Sequence, residues 1–268
     1  MNQTSELCTG NRILDSLPVA ERKRVLHCCE DVTVLEGESI GFPHEVIHYV
    51  YFPIDCVVAL MNQYEGLDES SFTLVGPEGS VGASLAVGID TWQVRAKVFQ
   101  GGHALWIPIQ AFKHLLQHAP TLDRQVRMDA GNQVQCSRDA LMCVKRHTLS
   151  QRLAGWLLML SDRVGKKHMY ASRQMLAEHL GASVASVARE LTYLVRCRAV
   201  TDDNGHIEIK NRRSLRRVAC RCFDRKSRLN RVRAAENGRR IDYAPSKRLD
   251  DASDRFVLFR LRHQNPAT

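Results

Sequence analysis

Nine cysteines are the side chains best suited to metal or redox chemistry in this 268-residue chain. Their number is odd and no two are separated by two residues, so the paired ligands typical of structural zinc sites are missing. An iron–sulfur cluster needs four well-placed thiolates. Cys8, Cys28, Cys29 and Cys56 are available, but an adjacent pair is poorly suited to joint ligation. The spacing therefore predicts free thiols, mostly small buried groups, and no metal site.

Three histidines raise the alternative of a cupin-like metalloenzyme. His44 and His48 would share one strand face, but they would lie roughly 13 Å apart at about 3.3 Å per residue, with His103 far downstream. The sequence contains no evident nucleophile–base pair and no Gly-rich phosphate loop. We therefore predict that the protein is not an enzyme.

Charge is divided unevenly along the chain. The formal net charge is +9, from 38 Lys and Arg against 29 Asp and Glu, with −7 in residues 1–140 and +16 in residues 141–268. A strongly basic half predicts a polyanionic partner, with nucleic acid the first candidate and an anionic membrane surface the second. A solvated basic surface without a partner is the alternative.

Composition and hydropathy indicate a soluble globular protein of about two domains, with 44% apolar and 25% charged residues. The longest apolar run, residues 153–160, has eight residues, whereas a bilayer span needs about 18–20. The first six residues have neither the basic cap nor the apolar core of a secretory signal. These features predict a cytoplasmic protein that does not bind membranes.

Short β-branched and aromatic runs, separated by Gly and Pro, dominate the first half of the chain. The runs are 32–35, 48–52, 57–60, 71–75, 95–99 and 103–108. Such spacing predicts an antiparallel β-roll or jelly roll with room for a small ligand. Apolar residues at helical intervals predict a short helix over residues 11–30.

Helical spacing returns after Pro120 and predicts a long helix over residues 120–147. Its apolar stripe consists of Leu122, Val126, Ala130, Val134, Leu141 and Val144. A long helix with a narrow stripe buries that stripe best against a symmetry mate, which predicts a homodimer. The alternative is an amphipathic helix packed on its own β domain.

The most informative stretch begins at Ser172, which is suited to cap a helix over residues 173–180. Gly181 supplies the positive φ of a sharp turn, and Ser183 is suited to cap a second helix over residues 184–197. Two such helices, with small or apolar residues at their crossing, predict a helix-turn-helix.

The segment after the second helix strengthens that prediction. Residues 199–201 and 206–209 flank Asn204 and Gly205, which predicts a β-hairpin of the kind called a wing. A helix-turn-helix followed by a wing, in the basic half of a predicted dimer, is typical of a winged helix that binds double-stranded DNA.

The sequence resembles the Crp/Fnr family of bacterial transcription regulators, the cyclic-AMP receptor protein and its relatives, over about residues 11–223. The segments that carry the resemblance are Tyr-Val-Tyr-Phe-Pro at 49–53, Leu-Val-Gly-Pro-Glu-Gly at 74–79, Val81-Gly82, Gln-Arg-Leu-Ala-Gly-Trp-Leu-Leu at 151–158, Arg173-Gln174, Leu176-Ala177 and Leu180-Gly181. The resemblance implies an α+β fold. Its parts are an N-terminal antiparallel β-roll of the cyclic-nucleotide-binding kind (1–119), a dimerisation helix (120–147) and a C-terminal winged helix (148–223). The basic segment 224–268 lies beyond the resemblance, and we predict that it is disordered.

The resemblance also implies a homodimer on an inverted-repeat operator, with RNA polymerase as a further partner. It places Arg173, Gln174 and Ser183 at DNA phosphates, and Val184, Ala185, Ser186 and Arg189 at base edges. Of the base-facing residues, Arg189 alone can make a bidentate contact to guanine; a phosphate contact or a solvated charge is the alternative. The family's receptor has Arg-Glu where this chain has Val184-Ala185, which predicts a different operator and more shape readout.

The ligand side departs from the family pattern as well. The family's phosphate cassette uses Gly-Glu and then Arg followed by Ser or Thr, whereas this chain has Gly82-Ala83 and Arg95-Ala96. Because only one charged group remains, we predict no cofactor and no binding of cyclic AMP. Gly82, Ala83 and Arg95 stay the candidate effector residues, although Arg95 could instead pair with a carboxylate in the roll. The effector is then another small molecule or none.

A second hypothesis of a different class is a small-molecule sensor. Such a sensor would act through protein–protein contacts, and its degenerate winged helix would serve for docking. Duplex binding distinguishes the two, because a sensor alone shows no preferred sequence and no steep salt dependence.

Overall fold

The computed structural model describes residues 8–62, 70–165 and 168–223. The basic segment 224–268, for which the sequence predicts disorder, lies outside the described residues. Among the described residues, no helix is both long and apolar enough to cross a membrane.

Two short helices open the described chain, where the sequence predicts one. α1 spans Arg12–Asp15 and α2 spans Val19–His27. Pro18 stands between them in an extended conformation, with φ −54° and ψ 146°. Because proline lacks an N–H and its ring clashes with the preceding helical turn, one helix cannot run through this position. The prediction of a single helix over residues 11–30 is therefore wrong.

Seven strands form the two sheets of an antiparallel β-roll. They are β1 (Glu30–Val34), β2 (Ser39–Gly41), β3 (Tyr49–Pro53), β4 (Val57–Asn62), β5 (Ser70–Val75), β6 (Arg95–Gln100) and β7 (Gly102–Pro108). The strand orders are β1-β7-β3 and β2-β6-β4-β5, with every pair antiparallel. This confirms the predicted β-roll, to which the structure adds the three-residue strand β2.

Apolar side chains fill the roll around a 3₁₀ turn, Ala83–Val87. Gly82 and Gly88 bound this turn with φ of 95° and 84°, values that glycine adopts without strain. The indole of Trp92 packs directly on Gly41, where a Cβ atom would lie 2.2 Å from Trp92 Cε2. Trp92 and Ala83 are both buried in the core of the roll.

Helix α3 (Ile109–His118) leads into a long helix, α4 (Pro120–Arg146), which confirms the predicted helix. Glu21 of α2 caps the start of α4, because its carboxylate accepts hydrogen bonds from Thr121 Oγ1 (2.9 Å) and from the N–H groups of Thr121 and Leu122. A carboxylate at a helix N-terminus is favoured by the helix dipole. The first half of α4 packs on the roll through the buried Leu122 and Val126.

The remaining elements form a winged helix. They are α5 (Leu149–Val164), β8 (His168–Tyr170), α6 (Arg173–Leu180), α7 (Val184–Arg196), β9 (Val200–Asp203), β10 (His206–Ile209) and α8 (Arg212–Val218). The sheet order is β8-β10-β9. Asn204 (φ 49°) and Gly205 (φ 92°) make the tight turn between β9 and β10. The predicted hairpin is confirmed, and β8 adds a third strand.

The winged helix packs against the roll through a shared apolar core. Phe99 of β6 meets Trp156 of α5 edge-on, with ring centroids 4.8 Å apart, and Trp156 lies 4.8 Å from the His179 ring of α6. Ion pairs flank this contact, between Lys97 and Glu178 at 3.4 Å and between Arg163 and Glu78 at 2.7 Å. The roll and the winged helix therefore bury one continuous cluster.

Candidate nucleic-acid interface

Side-chain caps define the two helices of the helix-turn-helix. Ser172 Oγ accepts a hydrogen bond from the N–H of Met175 at 3.1 Å, and Ser183 Oγ accepts one from the N–H of Ser186 at 3.2 Å. Gly181, with φ 56° and ψ 52°, ends α6 in the left-handed conformation. Both caps and the turn are as the sequence predicts.

The inner faces of α6 and α7 are anchored in the domain core. The buried residues are Leu176, Ala177 and Leu180 on α6 and Val187, Leu191 and Leu194 on α7. Because these six side chains fix the rotation of both helices, they decide which residues of α7 face outward.

The first two turns of α7 present an open, weakly polar surface, here called the reading face (Val184, Ala185 and Ser186 in the first turn and Arg189 one turn later). Val184 and Ala185 are exposed, and Ser186 is half-buried. The Arg189 side chain is 73% exposed and lies 3.6 Å from the carboxylate of its neighbour Glu190. Nothing in the described residues covers this face, so it is accessible to a large partner.

Arg173 and Gln174 lie at the start of α6 and are both exposed. Arg173 Nη2 donates to Asp202 Oδ2 in β9 at 3.0 Å, and Gln174 Nε2 donates to Glu178 Oε1 at 3.0 Å. The ion pair with Asp202, a residue that the sequence did not single out, joins α6 to the wing and holds the guanidinium near the start of the helix.

The effector candidates occupy two different parts of the roll. A Cβ on Gly82 would face the Tyr49 carbonyl and the Val50 and Ile47 side chains at 3.5–3.6 Å. Arg95 Nε instead donates to Ser39 Oγ of β2 at 2.9 Å, and its guanidinium lies 5.2 Å from the centre of the Phe42 ring. Gly82 and Ala83 therefore lie in apolar packing, and Arg95 contacts the edge of the sheet.

Asp129 on α4 joins this helix to the turn that leads into Gly82. Its Oδ2 accepts hydrogen bonds from the Ser80 N–H (2.8 Å), Ser80 Oγ (3.0 Å) and Gln133 Nε2 (3.0 Å). Burial is the main cause that raises the pKa of Asp129 from 3.8 to about 6, and the hydrogen bonds from Ser80 and Gln133 offset part of that rise.

We expect the free energy of unfolding to fall as pH rises from about 4 to about 6, because the folded chain binds the Asp129 proton more tightly than the unfolded chain. The fall in the free energy of unfolding reaches its full size, about 2–3 kcal/mol, above about pH 6. Urea unfolding at about pH 4 and about pH 7 measures it. The difference in the free energy of unfolding between the two pH values should shrink in Asp129→Asn and persist in Asp123→Asn, a control on the same helix. An equal difference in both variants would contradict the assignment to Asp129.

The structure brings together three cysteines that the sequence reasoning treated separately. Cys143 of α4 lies beside Cys220 and Cys222, which follow α8. The two groups are far apart in the sequence, and only the packing of α8 on α5 brings them into contact. The close spacing of Cys220 and Cys222 was the one local signal.

Comparisons with known proteins agree with this geometry. Residues 151–218 match the family described as the Crp-like helix-turn-helix domain. No match was found among curated proteins. Three solved structures have similar folds. FixK2 from Bradyrhizobium japonicum has a TM-score of 0.63 at 16% identity, with 72% of this chain and 98% of that chain covered. CLP of Xanthomonas campestris, titled a c-di-GMP responsive global regulator, has a TM-score of 0.60 at 16% identity, with 72% of this chain and 100% of that chain covered. TTHB099 of Thermus thermophilus, titled a transcriptional regulator of the CRP family, has a TM-score of 0.58 at 16% identity, with 70% of this chain and 96% of that chain covered.

The resemblance to the Crp/Fnr family is thereby confirmed. The chain has the fold of Crp/Fnr-type DNA-binding regulators, with an N-terminal antiparallel β-roll, a long helix and a Crp-like helix-turn-helix domain.

Proposed function

We propose that this protein is a sequence-specific transcription regulator that binds double-stranded DNA as a homodimer at an inverted repeat. The observation that carries the proposal is the reading face, the uncovered start of α7 within a Crp-like helix-turn-helix. The major groove admits an α-helix, and the first turn of a recognition helix is the part that reaches base edges.

Phosphate contacts orient the winged helix on the duplex in this proposal. Arg173 and Gln174 at the start of α6 and Ser183 at the start of α7 provide a guanidinium, an amide and a hydroxyl beside free helix N–H groups. Such groups suit anionic oxygens. Asp202 holds Arg173 in place, so a phosphate would share an already positioned cation.

Base readout falls to four residues. Arg189 donates to a guanine edge, and Val184 and Ala185 contact thymine methyl groups. The hydroxyl of Ser186 can donate to or accept from a neighbouring base edge. Two small apolar side chains carry little hydrogen-bonding information, so DNA shape supplies part of the specificity.

The second half of α4 supports the homodimer. Val134, Leu141, Met142 and Val144 are each more than half exposed, although all are apolar and lie on one helix. The first half of the same helix is buried against the roll, so the described residues cover only part of the stripe. A two-fold copy of α4 covers the rest and places two reading faces on one side of the dimer.

Cyclic AMP is not the effector in this proposal. Ala83 cannot accept from a ribose hydroxyl, Trp92 fills the space over Gly41, and Arg95 is engaged by Ser39 and Phe42. A cyclic phosphate placed there would lose its partners, at about 1–3 kcal/mol for each unpaired group.

Selection of bound duplexes from a random pool, with the full chain, tests the function. We expect an enriched inverted repeat with half-sites about 10 base pairs apart. Affinity should fall about 10³-fold or more between about 50 mM and 200 mM salt, and cyclic AMP should change neither result. No enriched sequence together with a shallow salt dependence would overturn the proposal and favour the sensor that acts through protein contacts.

A further inference from the structure

Three thiols converge where α4 meets the end of the winged helix. The Sγ atoms of Cys143, Cys220 and Cys222 all lie within 4.8 Å of one another, and the Cys143 and Cys220 sulfurs are 3.5 Å apart. Cys143 lies in the last turn of α4, and the other two follow α8. Cys220 is buried and its two partners are half-buried.

The spacing of these sulfurs is close to that of a metal site. A tetrahedral zinc ion with Zn–S bonds of about 2.3 Å holds its sulfurs about 3.8 Å apart, so each pair here needs to move by about 1 Å or less. We propose that Cys143, Cys220 and Cys222 bind one thiophilic metal ion of the zinc type.

Neighbouring backbone already positions two of the thiols. The Cys220 N–H donates to the Gln151 carbonyl of α5 at 3.3 Å, and the Phe223 N–H donates to the Cys220 carbonyl at 3.2 Å. Phe223 is buried against α5, where Gly155 leaves room: a Cβ there would lie 3.8 Å from Cys220 Sγ. The loop that carries both thiols is therefore fixed before any ion binds.

A nearby cation offsets the charge of such a site. Three thiolates around a divalent ion carry a net charge of −1, and the positive Arg152 interacts electrostatically with Cys143 and Cys220. The three thiolates leave the fourth position of a tetrahedral ion to water or to the imidazole of His147.

Binding has a defined proton balance. The entry of one Zn²⁺ ion forms three Zn–S bonds, and each thiol that still holds its S–H proton gives that proton to solvent. The bound ion ties the last turn of α4 to the end of the winged helix, across the junction at His147.

The test uses the full chain, reduced and stripped of metal. Zn²⁺ is titrated in competition with a chromophoric chelator, and Co²⁺ is added separately for its thiolate-to-metal absorption bands. We expect one tight Zn²⁺ equivalent per chain, Co²⁺ bands typical of several thiolates, and a higher thermal midpoint with Zn²⁺. None of these readouts depends on DNA, so the metal site and the DNA-binding proposal can fail separately.

Serine variants locate the site. Cys143→Ser and Cys222→Ser, at half-buried positions, should each weaken Zn²⁺ binding by more than about 100-fold, which exceeds the usual effect of losing an outer-shell partner. Cys197→Ser removes an exposed thiol elsewhere and should bind Zn²⁺ as the parent chain does. The proposal would be overturned if both cluster variants bound Zn²⁺ as tightly as the parent chain, or if Cys197→Ser weakened Zn²⁺ binding as much as they do. Co²⁺ spectra without thiolate bands would overturn it as well.

Discussion

Replacing Leu141 by glutamate should convert the proposed dimer into a monomer and reduce its affinity for an inverted repeat to that of a single half-site. Leu141 is 53% exposed in the isolated chain and lies at the centre of the uncovered half of α4. Full burial of an exposed leucine contributes about 1.5–3 kcal/mol. About half of that is at stake at Leu141, and two-fold symmetry counts it twice, so the lost burial alone weakens the dimer about 10- to 150-fold. Two unpaired carboxylates in the same interface add a further desolvation cost.

Sedimentation equilibrium of the parent and variant chains measures this effect directly. Leu35→Glu is the matched control, because Leu35 is also an exposed leucine, at 68%, but lies outside α4. The control should stay dimeric and keep full operator affinity. A Leu141→Glu chain that remains a dimer would show that the second half of α4 is not the subunit interface, and would return the helix to the alternative of packing within its own subunit.

The parts of the fold that the sequence predicts are those with local signals. Ser172, Gly181 and Ser183 mark the limits of two helices because capping and positive φ depend on neighbouring backbone only. The Asn204–Gly205 turn defines its hairpin for the same reason. By contrast, β2 and β8 have three residues each and depend on pairing with β6 and β10, so no local pattern reveals them.

The contact between the roll and the winged helix depends on distant residues in the same way. Phe99 lies between Val98 and Gln100 in β6, and Trp156 lies on the apolar helix α5. Neither pattern identifies the residue against which the ring packs. The apolar run in β4 was a partial signal, since a strand without alternation is covered on both faces. The cysteine cluster had a still weaker signal, because Cys143 and Cys220 meet only through tertiary packing.

The candidate DNA interface was predictable in outline because a helix-turn-helix fixes which turn faces outward once its core residues are identified. The sequence did not reveal that Asp202 pairs with Arg173, which requires the wing to fold back on α6. It also did not reveal that Arg95 contacts Ser39 and Phe42, because β2 was not predicted. The two helices of the interface follow from local pattern, the expected contacts of their residues follow from the resemblance to the Crp/Fnr family, and the ion pairs follow from tertiary structure.

Replacing Arg189 by alanine should remove sequence preference at one base pair in each half-site. Arg189 is the one reading-face residue with a guanidinium, and its side chain is 73% exposed beside Glu190. Loss of a bidentate guanine contact costs about 1–3 kcal/mol, which is about 5- to 150-fold for each half-site. The selected operator should lose affinity, while duplexes mutated at that base pair should bind the variant and the parent about equally.

The control for this change is Arg196→Ala, which removes an exposed arginine in the last turn of the same helix. Gel-shift titrations of both variants against the selected and mutated operators, at two salt concentrations, separate the contacts that an arginine can make. Loss of a base contact leaves the salt slope nearly unchanged, because such a contact neutralises no phosphate and releases no counterion from the DNA. A phosphate contact instead lowers affinity equally for every sequence and reduces the slope by about 1 for each contact. That second pattern in Arg189→Ala would assign Arg189 to the backbone and leave base readout to thymine methyl contacts and DNA shape.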